Sequence, residues 1–348
     1  MSLIFYKEQC LDSNHLPEND NHFQVDSFFS DCLQFIKDWQ RDKVDFKLQT
    51  SGSTGVPKKI HTTRNLLEYS AQNTINFFQI PKGGHILVNM NPLFIAAQMQ
   101  LIRGLINQMN IYLCPPQINP NSWYPSIHFN FVAISPLQLE KWLQQATDFS
   151  RYSTIILGGA SVSASLNSRI TAIKSTDFFE TYGMTETLSH IAVRNCKTEE
   201  YFKVIHPDLE ISKTPEGCLQ INGYITNNQI ITTNDLIELS PNHTFKILGR
   251  KDFIINSGGI KINPVAIEAE IKNVYHSNLV VIGITDELLG EKAILVTDEI
   301  NCENWQFEFL EKYYRPKSVY YLSELPLTNS GKIDRLNVKK IVISKYKI

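Results

Sequence analysis

Nine consecutive residues, Thr50–Lys58, read T-S-G-S-T-G-V-P-K and gather the parts that hold a polyphosphate. Gly52 and Gly55 permit positive φ and close backbone approach. The hydroxyls of Thr50, Ser51, Ser53 and Thr54 donate hydrogen bonds, and Lys58 supplies a mobile point charge. The order is not that of a Walker A loop. That pattern sets four residues between its first glycine and a Gly-Lys pair, whereas Gly52 and Gly55 have two between them and Lys58 follows a proline. A turn rich in hydroxyls and glycine is by itself equally a surface loop. Its companions downstream decide between the two.

Five further segments follow at intervals. Leu157–Ala160 is L-G-G-A, Thr181–Thr187 is T-Y-G-M-T-E-T, and Asp235 lies in T-N-D-L. Gly249–Asp252 is G-R-K-D, with S-G-G-I-K-I at Ser257–Ile262, and Pro326–Arg335 is P-L-T-N-S-G-K-I-D-R. Singly, each has a plain structural explanation: a tight turn at Gly158–Gly159, a turn residue at Asp235, half of a surface ion pair at Arg250, a solvated charge at Lys332. Six such segments in this order are hard to assign to chance.

The chain that carries them has 348 residues, enough for a large core and for two or three domains. Hydrophobic residues make up 43% and charged ones 20%, as in ordinary soluble globular proteins, and a net charge of -2 implies no nucleic-acid or anionic-membrane partner. Six cysteines form no C-x-x-C pair, which fits thiols in a reducing compartment. The longest apolar stretch, Leu93–Ile106, is interrupted by Gln98, Gln100 and Arg103, and Leu3–Tyr6 is too short for a secretory leader. A cytoplasmic protein without membrane insertion is expected.

The elements that must position the motifs follow from periodicity. Residues 1–25 are polar and read as an irregular arm. Phe28, Phe29, Cys32, Leu33, Ile36 and Trp39 recur at helical spacing behind an N-cap at Asp26 or Ser27. Short β-rich runs (Ile86–Asn89, Phe131–Ile134, Thr154–Leu157, Asp177–Thr181, Cys218–Asn222) then alternate with helical segments such as Ala96–Asn107 and Leu137–Gln145. That alternation predicts an α/β fold with a mostly parallel sheet, its glycine turns falling just after strands, where open sheets place ligands. From about Gly249 a smaller α+β unit is expected, with a helix begun by Asn263 and Pro264 and a buried strand over Asn278–Ile284.

On T-S-G-S-T-G-V-P-K, Y-G-M-T-E-T and S-G-K-I-D-R the chain resembles the adenylate-forming superfamily of acyl- and aryl-CoA synthetases, adenylation domains and luciferase. The likeness covers roughly residues 46–335. It implies a large domain over residues 1–250 for ATP and acyl group, reduced at its amino terminus, and a small mobile domain over 251–348. By the resemblance, Thr50, Ser51, Gly52, Ser53, Thr54, Gly55 and Lys58 grip the β- and γ-phosphates of ATP. Gly159 and Ala160 line the adenine site, Tyr182 stacks on the base with Gly183 also in the nucleotide site, and Thr185 contacts the α-phosphate. Glu186 holds Mg2+, Asp235 and Arg250 bond the ribose hydroxyls, and Asp252 is the hinge. Gly258 and Gly259 flank the path of CoA, and Lys332 serves the adenylation step.

Two departures stand out. The phosphate loop comes much earlier in the chain than in most relatives, and Pro92-Leu93-Phe94-Ile95 replaces a motif that often ends in histidine. Pro92–Arg103 is similar to the acyl-site helix of short o-succinylbenzoate–CoA ligases of menaquinone biosynthesis, which makes Phe94 and Arg103 acyl-site candidates. Arg103 suits a second substrate carboxylate, and equally a structural role on its helix. A carrier-protein-loading enzyme and a catalytically silent nucleotide-binding homologue stay open as alternatives.

Overall fold

In the computed structural model, residues 2–16, 26–41, 43–49, 59–328 and 333–348 are described. The chain divides into two compact units, one formed by Met1–Glu210 with Asn222–Ile230 and one by Ile211–Ile221 with Ile231–Ile348.

The first unit holds β1 (Leu3–Tyr6), β2 (Gln9–Asp12), α1 (Ser27–Gln40), β3 (Asp45–Gln49), β4 (Lys59–Thr63), α2 (Arg64–Phe78), β5 (His85–Val88), α3 (Ile95–Ile106) and β6 (Asn110–Leu113). The short helix α4 (Pro120–Trp123), β7 (Phe129–Ile134), α5 (Pro136–Gln144), β8 (Tyr152–Leu157), α6 (Ala164–Ala172), β9 (Asp177–Gly183), β10 (His190–Asn195) and β11 (Phe202–Val204) complete it. Its main sheet runs β11-β10-β9-β8-β7-β5-β6-β1-β2. The six strands from β9 to β1 are mutually parallel, and β10 and β2 pair antiparallel at either side.

Side-chain alternation along those strands builds two cores. Ile86, Val88, Ile111, Leu113, Phe131 and Ala133 face one way, with residues of α1, α2 and α3. Leu87, Tyr112, Val132, Ile134, Ile155 and Leu157 face the other way, with α5 and α6. A sheet covered on both faces needs such continuous apolar strands. Helix starts follow their caps: Asp26 accepts from Phe29 N–H, and Ser135 forms a capping box with Gln138 behind Pro136.

One expectation fails. Residues 2–16 are not an irregular arm, since β1 lies parallel to β6 and Ile4 and Tyr6 are buried. Four residues carry too little pattern to show a strand against polar neighbours, and only the sheet edge supplies its partner.

The second unit holds β12 (Glu210–Lys213), β13 (Cys218–Asn222), β14 (Ile231–Leu239) and β15 (Thr244–Arg250), which neighbour one another in that order. It continues with β16 (Ile255–Ser257), β17 (Ile260–Ile262), α7 (Pro264–Val274), β18 (Leu279–Asp286), β19 (Gly290–Thr297), β20 (Val319–Tyr321) and α8 (Arg335–Tyr346). A sheet ordered β17-β16-β19-β18, with β20 also on β19, packs Val281 and Leu295 against α7 and Val280 and Val296 against α8. Asn263 caps α7 and Pro264 opens it, as the sequence predicts.

Candidate functional site

Parallel strands β8 and β9 end side by side, and the motif residues follow their carboxyl ends. Thr181 Oγ1 donates to Leu157 O at 3.0 Å, which binds the end of β9 to the end of β8. After β8 the chain turns at Gly159, whose φ of +81° suits glycine, and Ala160 follows half-buried. Glu180 holds this turn: its Oε1 accepts from Val162 N–H at 3.1 Å while its Oε2 takes Arg194 Nε at 2.7 Å. Sequence reasoning missed Glu180. An acidic residue inside an apolar strand was the available signal, because a buried carboxylate requires such partners.

Beyond β9 lies the T-E-T turn. Tyr182 is 8% exposed, with its ring centre 6.0 Å from that of Phe202. Gly183 is required by close approach: a Cβ there would lie 2.2 Å from Ser189 O and 2.5 Å from His190 Cα. Thr187 is fully buried, and its hydroxyl pins the turn. It accepts from Met184 N–H at 3.0 Å and lies within bonding distance of Met184 O and Ser189 O. Leu188 pays for the tight reversal with a φ of +61°. Thr185 is half-buried, its carbonyl accepting from Leu188 N–H at 2.9 Å, and Glu186 is exposed, its carboxylate making no hydrogen bond or ion pair with the described residues. A carboxylate held on a pinned turn and given no partner among the described residues suits a hard cation, which takes one or two carboxylates and keeps phosphate and water as its other ligands.

Deeper in the same unit, α3 carries Arg103, 1% exposed. Its Nη1 donates to Gln100 Oε1 at 3.1 Å and its Nη2 to Ser189 Oγ at 3.0 Å, while Nε has no partner among the described residues. No carboxylate among the described residues pairs with it, and burial pushes its pKa down to about 9, which leaves it cationic at neutral pH. Tyr69 Oη and Ser70 Oγ are also buried without partners among the described residues. Phe94 is 42% exposed at the opposite end of α3. Nine residues separate it from Arg103, about 13 Å along the axis and half a revolution around it, so the helix does not bring the two acyl-site candidates together.

In the second unit, Asp235 and Arg250 face each other across β14 and β15, with Nη1 to Oδ1 at 3.3 Å. Arg250 also grips Asp252 in bidentate fashion, at 2.9 and 2.8 Å. Gly249 precedes it because Asn263 leaves no room for a Cβ, the nearest atom lying at 2.7 Å. Gly258 and Gly259, with φ of +60° and +83°, make the two-residue turn between β16 and β17.

Thr50, Ser51, Gly52, Ser53, Thr54, Gly55, Lys58 and Lys332 lie outside the described residues. Their flanks are placed. Gln49 pairs with Lys59 in the β3–β4 ladder, and Leu327 bridges to Ile333.

Parallel strands covered on both faces, with glycine-bearing turns at their carboxyl ends, define an open α/β ligand-binding fold. The family model for "AMP-binding enzyme" matches residues 4–212. An AMP-forming acyl-CoA synthetase/AMP-acid ligase II-like protein from Dyadobacter fermentans superposes with a TM-score of 0.63 at 32% identity, over 90% of this chain and 94% of that one. The chain belongs to the AMP-binding enzyme family. The 2-succinylbenzoate–CoA ligase of Staphylococcus epidermidis is 27% identical, over 83% of this chain and 68% of its own length. The o-succinylbenzoate CoA synthetase of Bacillus subtilis, solved with its acyl-adenylate intermediate, shares the fold with a TM-score of 0.73 at 22% identity, over 84% of this chain and 68% of that one. Among the described residues no helix is long and apolar enough to cross a membrane.

Proposed function

We propose that the chain is an ATP-dependent acid–thiol ligase that activates 2-succinylbenzoate as its acyl-adenylate and transfers the acyl group to CoA. The observation that carries the substrate choice is Arg103, a buried guanidinium lacking a carboxylate partner among the described residues. A second carboxylate on the substrate would supply the missing anion and a bidentate bond. The relatives named for 2-succinylbenzoate support the same reading.

In the first step a carboxylate oxygen attacks the α-phosphorus of ATP, the bond to pyrophosphate breaks, and acyl-AMP forms. Two anions approach each other, so cations and positioning matter more than proton transfer. Lys332 and Lys58 offset that charge. Thr185 donates to the α-phosphate, Gly159, Ala160 and Tyr182 with Gly183 accommodate the base, and Asp235 and Arg250 take the ribose hydroxyls. Glu186 would hold Mg2+, which supplies charge neutralisation at the phosphates. In the second step the CoA thiolate attacks the acyl carbonyl and AMP leaves. The Gly258–Gly259 turn borders that path. Residues 251–348 swing about Asp252 relative to residues 1–250, exchanging the lysine face for the glycine face.

The test supplies purified protein with ATP, Mg2+ and CoA. AMP release should be faster with 2-succinylbenzoate than with acetate, benzoate or a fatty acid. Preference for a monoacid would remove the substrate assignment. Absence of acid-dependent exchange of pyrophosphate into ATP would remove the ligase itself. A phosphopantetheinyl carrier protein in place of CoA separates the two acceptors.

A further inference from the structure

Arg335 closes the G-K-I-D-R segment, yet its side chain serves the interior of its own unit. Nη1 meets Glu268 Oε1 at 2.6 Å and Nη2 meets Oε2 at 2.7 Å, with both side chains largely buried. The pair also satisfies the outer edge of β18. Glu268 Oε1 accepts from Val281 N–H at 2.7 Å, and Arg335 Nη1 donates to Val281 O at 2.7 Å. Two charged side chains thereby stand in for a neighbouring strand, and α7 and β18 together hold the guanidinium that α8 carries.

That fixed guanidinium lies 5.0 Å from the centre of the Phe253 ring, and the guanidinium of Arg250 lies 5.6 Å from the same ring. One aromatic ring is shared by two cations, and each cation keeps its own carboxylate, Glu268 for Arg335 and Asp252 for Arg250. Arg335 is held within the fold, whereas the Arg250 side chain is 36% exposed. Order therefore passes from Arg335 through Phe253 to Arg250.

We propose that Arg335 and Phe253 are positioning residues for Arg250, bracing its guanidinium where it meets the nucleotide. The inference rests on the reading of Asp235 and Arg250 as ribose ligands. Phe253→Leu keeps apolar bulk and removes the π face. It should raise KM for ATP about two- to fivefold with little change in kcat, the range expected for one cation–π contact. It should also lower the preference for ATP over 2′,3′-dideoxy-ATP by the same factor. Arg335→Lys, which still neutralises Glu268, should act in the same direction, and Arg250→Lys should act more strongly. A merely architectural role would lower the thermal midpoint of both brace variants and leave the ATP preference at the wild-type value, and that result overturns the proposal. If Arg335→Lys does not fold, Phe253→Leu decides. If Arg250→Lys itself leaves the preference unmoved, the ribose assignment fails and the brace fails with it. A shift in Arg250→Lys alone overturns only the brace.

Discussion

Arg103 Nη2 donates to Ser189 Oγ at 3.0 Å, and this bond starts a one-way chain of hydrogen bonds through the first unit. A guanidinium has no acceptor, so the Ser189 hydroxyl proton is left for His190 Nδ1 at 3.4 Å. His190 Nε2 then carries the ring proton and donates to Thr74 Oγ1 at 3.1 Å, and Thr74 donates to Ser70 O at 3.2 Å. The chain holds His190 neutral in one tautomer, and burial first and the Arg103 charge second keep its pKa well below the usual value. A cation is thus ordered in the last turn of α3 without being neutralised by any described residue.

Replacing that cation should separate recognition from stability. Arg103→Met fills similar space, removes a desolvated charge, and costs the bonds to Gln100 and Ser189. The opposing terms leave stability within about 2 kcal/mol of wild type. Losing a charged hydrogen bond to the substrate should lower kcat/KM for 2-succinylbenzoate at least about tenfold, with benzoate unaffected. Equal kcat/KM values in the two proteins would show that Arg103 never meets the acid.

Most of the large unit was legible in the sequence. The runs over 86–89, 131–134 and 154–157 fall on β5, β7 and β8, with only Asn89 beyond its strand, because strands covered on both faces need apolar stretches. The T-Y-G-M-T-E-T motif stood out by its residues, whereas Asp235 and Arg250 were brought together only by the resemblance, and Asp235 proves to lie within a strand rather than a turn. What stayed hidden were contacts between distant segments. The seat of β1 beside β6, the hold of Glu180 on Val162, and the grip of Arg335 on Glu268 all depend on topology that no local period encodes. The type of Arg103 was a clear clue, but its burial was not, since an arginine on a helix is ordinarily solvated.

His206 makes the first unit sensitive to acid. Burial lowers its pKa to about 4, against a smaller raising effect from its bond to His190 O and a lowering one from Arg103. Asn73 Nδ2 faces its Nδ1 at 3.2 Å, and the Tyr69 ring lies 5.4 Å away. The folded pKa is depressed below the unfolded one, so between pH 6.5 and 4 the unfolded chain binds the extra proton. Stability is full above about pH 6.5 and falls by about 3 kcal/mol as the pH drops through that window. Urea unfolding of His206→Asn at pH 7 and pH 4.5 should show a smaller acid loss than wild type. Parallel losses would mean that the proton binds elsewhere.

Glu186 predicts the reverse pattern, activity lost without stability. Its carboxylate is exposed and makes no bond to the described residues, so Glu186→Gln removes nothing the fold uses. The melting curve should be displaced by no more than about 0.5 kcal/mol. Acid-dependent exchange of pyrophosphate into ATP should fall by about two orders of magnitude, as for loss of one strong charge-stabilising group. The residual rate should demand more Mg2+. An unchanged exchange rate at low Mg2+ would take the metal from Glu186.

Gly183 and Gly159 border the same strand ends for different reasons, and alanine distinguishes them. At Gly159 the cost is conformational only: φ is +81°, and an added Cβ meets nothing within 4 Å. Gly159→Ala should therefore cost about 1–2 kcal/mol. At Gly183 the added Cβ would strike Ser189 O at 2.2 Å and Ser189 C at 2.8 Å, both main-chain atoms of the turn that Thr187 pins. Backbone cannot rotate aside as a side chain can, so β10 must move or the turn must open. Gly183→Ala should cost about 3 kcal/mol or more, and because Ser189 also holds Arg103, diacid activity should fall with it. Thermal denaturation of the two variants ranks them directly. If Gly183→Ala proved the milder change, the close approach of β9 to the Ser189 backbone would not exist in solution.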